Sequence, residues 1–198
     1  MLRRMLKRGR VPVLFSIIMN SVIVAVMIAC AVMSLAKFKK GSRFFRYFTT
    51  LSNMLCALSA TAVIVAWASG GLPEWVVILK YVGTCAVTVT MLTVLLLLGP
   101  LSHEWKMLLS GGDLFLHLVN PLLAIESFVL FEKTATPAWV LALGVAPVVL
   151  YGALYLCNVV FARRWDDFYG FNVNGKWPAS LCLMLTGAAV IAFALWVG

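Results

Sequence analysis

Among the polar residues set in or beside apolar stretches, three short segments stand out as able to do nucleophilic or acid–base chemistry. The first is Arg46-Tyr47-Phe48-Thr49-Thr50-Leu51-Ser52-Asn53. Here Thr49, Ser52, Asn53 and Cys56 recur at i, i+3, i+4 and i+7 and share one helix face. A hydroxyl on that face can attack a carbonyl if a base lies within reach. The same stripe can instead hold helices together by hydrogen bonds. In the second segment, Asp113 to Pro121, Asp113 stands four residues before His117 and Asn120 three after it, which again gives one face. Burial disfavours the imidazolium, so His117 is a candidate base, with Asp113 a candidate to orient it through the second ring nitrogen. The plainer reading makes Asp113 a helix-terminal charge and His117 a packed, hydrogen-bonded side chain. The third segment, Trp165-Asp166-Asp167-Phe168-Tyr169-Gly170-Phe171-Asn172, mixes rings with two acids. It reads as part of a surface aromatic belt, or as a cap or cation site beside the other two segments.

What positions these segments follows from composition. Of 198 residues, 63% are hydrophobic and 12% charged, with a mean hydropathy of +1.01. A soluble domain carries charge on about a quarter of its residues, so a soluble enzyme, a disordered chain and a nucleic-acid-binding domain are excluded. The expectation is an all-α, polytopic membrane protein. Spanning helices need about 20 mostly apolar residues. Six such stretches are present, near 11–36, 44–69, 75–98, 114–131, 138–162 and 178–197, in one membrane domain over 1–198 without an internal repeat. The first is too long for the apolar core of a signal peptide and reads as a span. Spans two and four both begin after odd-numbered connections, so Thr49 and His117 are expected near the same membrane face.

The net charge of +9 is concentrated at the start of the chain. Arg3, Arg4, Lys7, Arg8 and Arg10 precede the first span, and Lys37, Lys39, Lys40, Arg43 and Arg46 follow it. That flanking pattern predicts contact with anionic lipid headgroups, not nucleic acid. Basic residues are divided between the two faces too evenly for the positive-inside rule to set orientation. Cys30, Cys56, Cys85, Cys157 and Cys182 each fall in a different apolar stretch and are expected as buried thiols, with no metal and no cofactor. Lys80 is expected to snorkel from a span end, and Glu126, far around the helix from His117, to serve helix packing or a separate polar contact.

These residues, in this order on six spans, resemble the androgen-induced-protein-like membrane hydrolases, and more closely a bacterial six-span branch. The likeness runs from about Phe44 to Trp177, and its motifs are short. Arg46-Tyr47-Phe48-Thr49 is similar to the family's aromatic-rich threonine segment, and Leu116-His117-Leu118-Val119-Asn120-Pro121 to its histidine segment. Trp165 to Asn172 is similar to its loop before the last span. The resemblance implies a hydrolase of fatty-acid esters of hydroxy fatty acids or similar lipid esters, in a bacterial cytoplasmic membrane. In it Thr49 is the nucleophile and His117 the base. Asp113, Asn53, Ser52 and Asn120 would support them, and Trp165, Tyr169 and Glu126 would contact substrate. Asn53, Ser52 or a backbone amide would hold the oxyanion. Departures are that Pro121 follows His117 by four residues rather than five, that Gly170 replaces a proline, and that Asp113-Leu114 replaces an Asn-His run. A non-enzymatic lipid binder or scaffold is the alternative, and a proton-coupled transporter using His117, Asp113 and Glu126 a third.

Overall fold

The computed structural model describes residues 2–37, 41–103 and 105–198, with side chains described for 11–36, 43–100, 103, 105–106 and 109–198. The side chains of Arg3, Arg4, Lys7, Arg8, Arg10 and Lys37, and residues Lys39, Lys40 and Glu104, therefore lie outside the description. Arg43 is exposed and Arg46 half-buried.

The protein is all-α, with six helices long and apolar enough to cross a membrane: α1 Val11–Ala36, α2 Phe48–Ala68, α3 Glu74–Leu98, α4 Gly111–Glu132, α5 Val140–Phe161 and α6 Trp177–Val197. Each has 21–26 residues, enough for a hydrocarbon core of about 30 Å at 1.5 Å per residue. Local sequence sets the breaks. The α2–α3 turn uses Gly70 at φ +110 and ends on Pro73, whose fixed φ suits a helix start. Pro178 plays the same part in α6.

Polarity is inverted relative to a soluble bundle. Leu58, Leu130, Leu150 and Val190 stand exposed on the outside, whereas Asn20, Asn53, Lys80, Asn120, Ser127 and Glu132 are buried within. That arrangement suits a lipid solvent, in which apolar side chains gain nothing by turning inward and polar ones must pair. The tryptophans mark two levels, with Trp67, Trp75, Trp139 and Trp196 at the end holding the start of α1, and Trp105, Trp165 and Trp177 at the other. The chain is a multi-pass membrane protein.

Helix α3 is the hub. Of its most apolar stretch 61% is buried, against 22–39% in the other five helices. Gly83 permits its close approach to α2, since a Cβ there would lie 2.6 Å from Ser59 Oγ and 3.1 Å from Cys56 Cα. Gly83→Ala should destabilise the fold by about 1–3 kcal/mol through overpacking. The lipid-facing Gly187→Ala, whose Cβ would meet nothing within 4 Å, should melt like the parent in the same detergent.

Two expectations are corrected. Cys30, Cys56 and Cys85 are buried, but Cys157 and Cys182 are exposed on the outer faces of α5 and α6. Lys80 does not snorkel. It stands six residues inside α3, fully buried, with Nζ donating to Asn20 Oδ1 at 2.7 Å and lying 3.7 Å from Glu132 Oε2.

Candidate functional site

Helix α4 carries His117 on a widened turn, for a reason the sequence contains. Pro121 has no N–H, so it cannot close a helical bond onto the carbonyls behind it. Residues Phe115–Val119 form a π turn instead, and the Asn120 N–H bonds Phe115 O. Leu116 O is thereby left without a donor, since Asn120 N–H is engaged one residue back and Pro121 has none to give. Asn53 supplies it, with Nδ2 donating to Leu116 O at 3.0 Å and to Thr49 O at 2.9 Å. Asn120 Nδ2 in turn donates to Asn53 Oδ1 at 3.1 Å. The proline kink and the asparagine thus lock the first turn of α2 against α4, and π turns of this kind recur at functional positions.

The result is a close approach between two of the sequence-predicted residues. Thr49 Oγ1 lies 3.3 Å from His117 Nε2. In the tautomer with Nε2 unprotonated, the threonine hydroxyl donates to it. The separation is at the outer edge of hydrogen bonding, as is common before a substrate tightens such a pair. His117 is buried, and Thr49 is half-buried on the wall of a cavity. Thr50, the neighbouring hydroxyl, is buried away from that wall. Ser52 lies 2.8 Å from Thr90 Oγ1 and donates to Thr49 O at 3.1 Å, so it ties α2 to α3.

The cavity holds about 670 Å³ including its open mouth, and lies among α3, α5, α6 and the loop before α6. Thr49, Thr90 and Tyr169 stand beside apolar walls from Val94, Val148, Leu181 and Met184. Its lining is apolar with a few convergent polar groups, the composition of a ligand site. Gly152 contributes to the space, and its missing side chain leaves room in front of Leu181.

The loop before α6 is built around Asp167, which accepts from Tyr155 OH at 2.7 Å, Phe171 N–H at 2.9 Å and Asn172 N–H at 2.8 Å. This acid is a staple for the loop, and Asp166 is exposed. The loop delivers Tyr169 to the start of α2, where Phe48 N–H donates to its hydroxyl at 2.9 Å. A helix start leaves its first N–H groups without intrahelical partners, and the phenol oxygen satisfies one of them. Burial pushes the Tyr169 hydroxyl up from its ordinary value, offset in part by Phe48, Tyr151 and Thr49.

Other expected members lie elsewhere. Asp113 sits in the first turn of α4, four residues before His117. Trp165 does not line the cavity and instead carries Arg46 at 5.5 Å from its ring, while Trp177 takes a place on the cavity wall. Glu126 is exposed on the outer face of α4, about 14 Å along the helix from His117, and does not line the cavity. Comparison with family models, with curated proteins and with solved structures finds no match to this chain.

Proposed function

We propose that the chain is an intramembrane hydrolase of lipidic carboxylic esters, such as fatty-acid esters of hydroxy fatty acids, acting in a bacterial cytoplasmic membrane. The observation that supports this reading most directly is the 3.3 Å approach of Thr49 Oγ1 to His117 Nε2 on the wall of a largely apolar cavity. In the reaction, His117 takes the hydroxyl proton as Thr49 attacks the ester carbonyl. It then returns the proton to the departing alcohol, and water hydrolyses the acyl-threonine by the same route. The apolar walls accept an acyl chain, and the basic residues between α1 and α2 favour anionic headgroups nearby.

A fluorophosphonate added to the detergent-solubilised protein should phosphonylate Thr49, as read by mass spectrometry of the peptides. The adduct should be absent from Thr49→Ala and strongly reduced in His117→Ala while both variants still melt cooperatively. A second reading, a lipid binder or scaffold, is favoured by the bonds from Asn53 to Leu116, Thr49 and Asn120, which serve packing without chemistry. It predicts no adduct, and early melting in those variants.

A further inference from the structure

An ester attacked by Thr49 must hold its carbonyl oxygen on the cavity side, because His117 lies close to the threonine hydroxyl and does not line the cavity. The oxyanion formed there needs a donor already aimed at it. Asn53 and Ser52 are spent, the first on Thr49 O and Leu116 O, the second on Thr49 O and Thr90, and neither lines the cavity.

The hydroxyls that do line it can be taken in turn. Tyr151 donates to Arg46 O at 2.7 Å, and Tyr155 to Asp167 at 2.7 Å. Thr90 has its one proton engaged by Ser52 Oγ at 2.8 Å or Ala86 O at 3.3 Å, and Thr93 faces Met184 Sδ at 3.8 Å. Tyr169 differs, because its oxygen accepts from Phe48 N–H and none of the described hydrogen bonds takes its own proton. The bond from Phe48 N–H polarises the phenol and makes it a stronger donor. Burial keeps it protonated through the neutral range.

We infer that Tyr169 is a catalytic residue, its phenolic O–H donating to the oxyanion formed when Thr49 attacks an ester carbonyl lodged between the two side chains. The inference rests on the hydrolase reading above. In the step, the Thr49 Oγ–C bond forms, the carbonyl π pair moves to oxygen, and His117 Nε2 takes the hydroxyl proton. On collapse the C=O bond re-forms and the C–O bond to the alcohol breaks. The alcohol leaves with the proton from His117. Tyr169 keeps its own proton throughout.

The test uses the full chain in detergent, with a 4-nitrophenyl ester of a medium-chain fatty acid and with the fluorophosphonate. Tyr169→Phe should slow acylation by about 10²–10³-fold with KM little changed. Because that change also removes the acceptor for Phe48 N–H, a second variant carries fluorotyrosine at position 169, which keeps the ring and the hydroxyl. Its rate should change with phenol acidity, a response that a packing role does not produce. Tyr169→Phe reacting at the parental rate would overturn the inference and leave the hydrolase standing. So would a rate that falls only with the folded fraction and ignores fluorination. A parent protein that reacts with neither reagent would overturn both.

Discussion

Lys80→Met should destabilise the protein by about 3–5 kcal/mol, as should Glu132→Leu, whereas the double variant should recover much of the loss. The two charges are fully buried and 3.7 Å apart. Glu132 Oε1 accepts from Ser16 Oγ at 2.7 Å and from Asn20 Nδ2, and Oε2 from Ser127 Oγ at 3.4 Å. Trp67 Nε1 extends the network by donating to Ser16 at 3.1 Å. Four helices are thereby joined at the end of the bundle opposite Thr49. Removing one charge strands the other in a medium that cannot solvate it, which costs more than the pair contributes. Removing both leaves only neutral amides and hydroxyls short of partners, at about 1–3 kcal/mol each. Thermal or denaturant unfolding in micelles gives the three values. Additive losses would show that the charges do not act as a pair.

This network is separated from Thr49 and His117 by a layer in which Ile23, Cys56, Ala60, Val87 and Ala124 are all buried at 0% exposure. The layer is apolar, so the two polar ends are separated by side chains that carry no charge. On the hydrolase reading, the Lys80 variants are predicted to alter stability without altering the reaction rate of the folded fraction.

The legible and illegible parts of the fold differ in the range of their causes. Six spans follow from runs of apolar residues, and the pairing of Thr49 with His117 follows from two helices entering from the same face. The first signal lies within a helix length of sequence; the second joins residues 68 positions apart, and is readable only because the count of spans between them fixes the face on which each helix begins. The Lys80–Glu132 pair depends on residues 52 positions apart, and reading span four as ending at Phe131 placed Glu132 in a connection. The helix in fact closes with a π turn over Phe128–Glu132 that carries the carboxylate inward. A signal was present in Ser16 and Asn20, four apart on α1 with no other buried polar partner in their own helix. Tyr169 lies 121 residues from the Phe48 N–H it caps. No local pattern distinguishes it there from an ordinary interfacial ring. The role of Asn53 was half visible, since its face was readable but not the Leu116 carbonyl that Pro121 leaves open.

On the hydrolase reading proposed above, Thr49→Ala and His117→Ala should each abolish nearly all turnover of a lipid ester, and the double variant should be no slower than Thr49→Ala alone. A base removed from a working pair costs about 10²–10⁴-fold. Removing the nucleophile leaves only slow attack by water within the cavity. Groups that act as a unit lose their effect together, so their penalties do not multiply. Thr49→Ser keeps the hydroxyl 3.3 Å from Nε2 and removes only the methyl, so it should retain much of the rate. Asn53→Ala occupies an intermediate position. It releases Leu116 O and Thr49 O together, and should lower both the melting temperature and the rate, because the same amide holds α2 against α4 and positions Thr49. Penalties for Thr49→Ala and His117→Ala that multiply in the double variant would mean that the two side chains are neighbours and not partners. Their proximity would then belong to packing between α2 and α4.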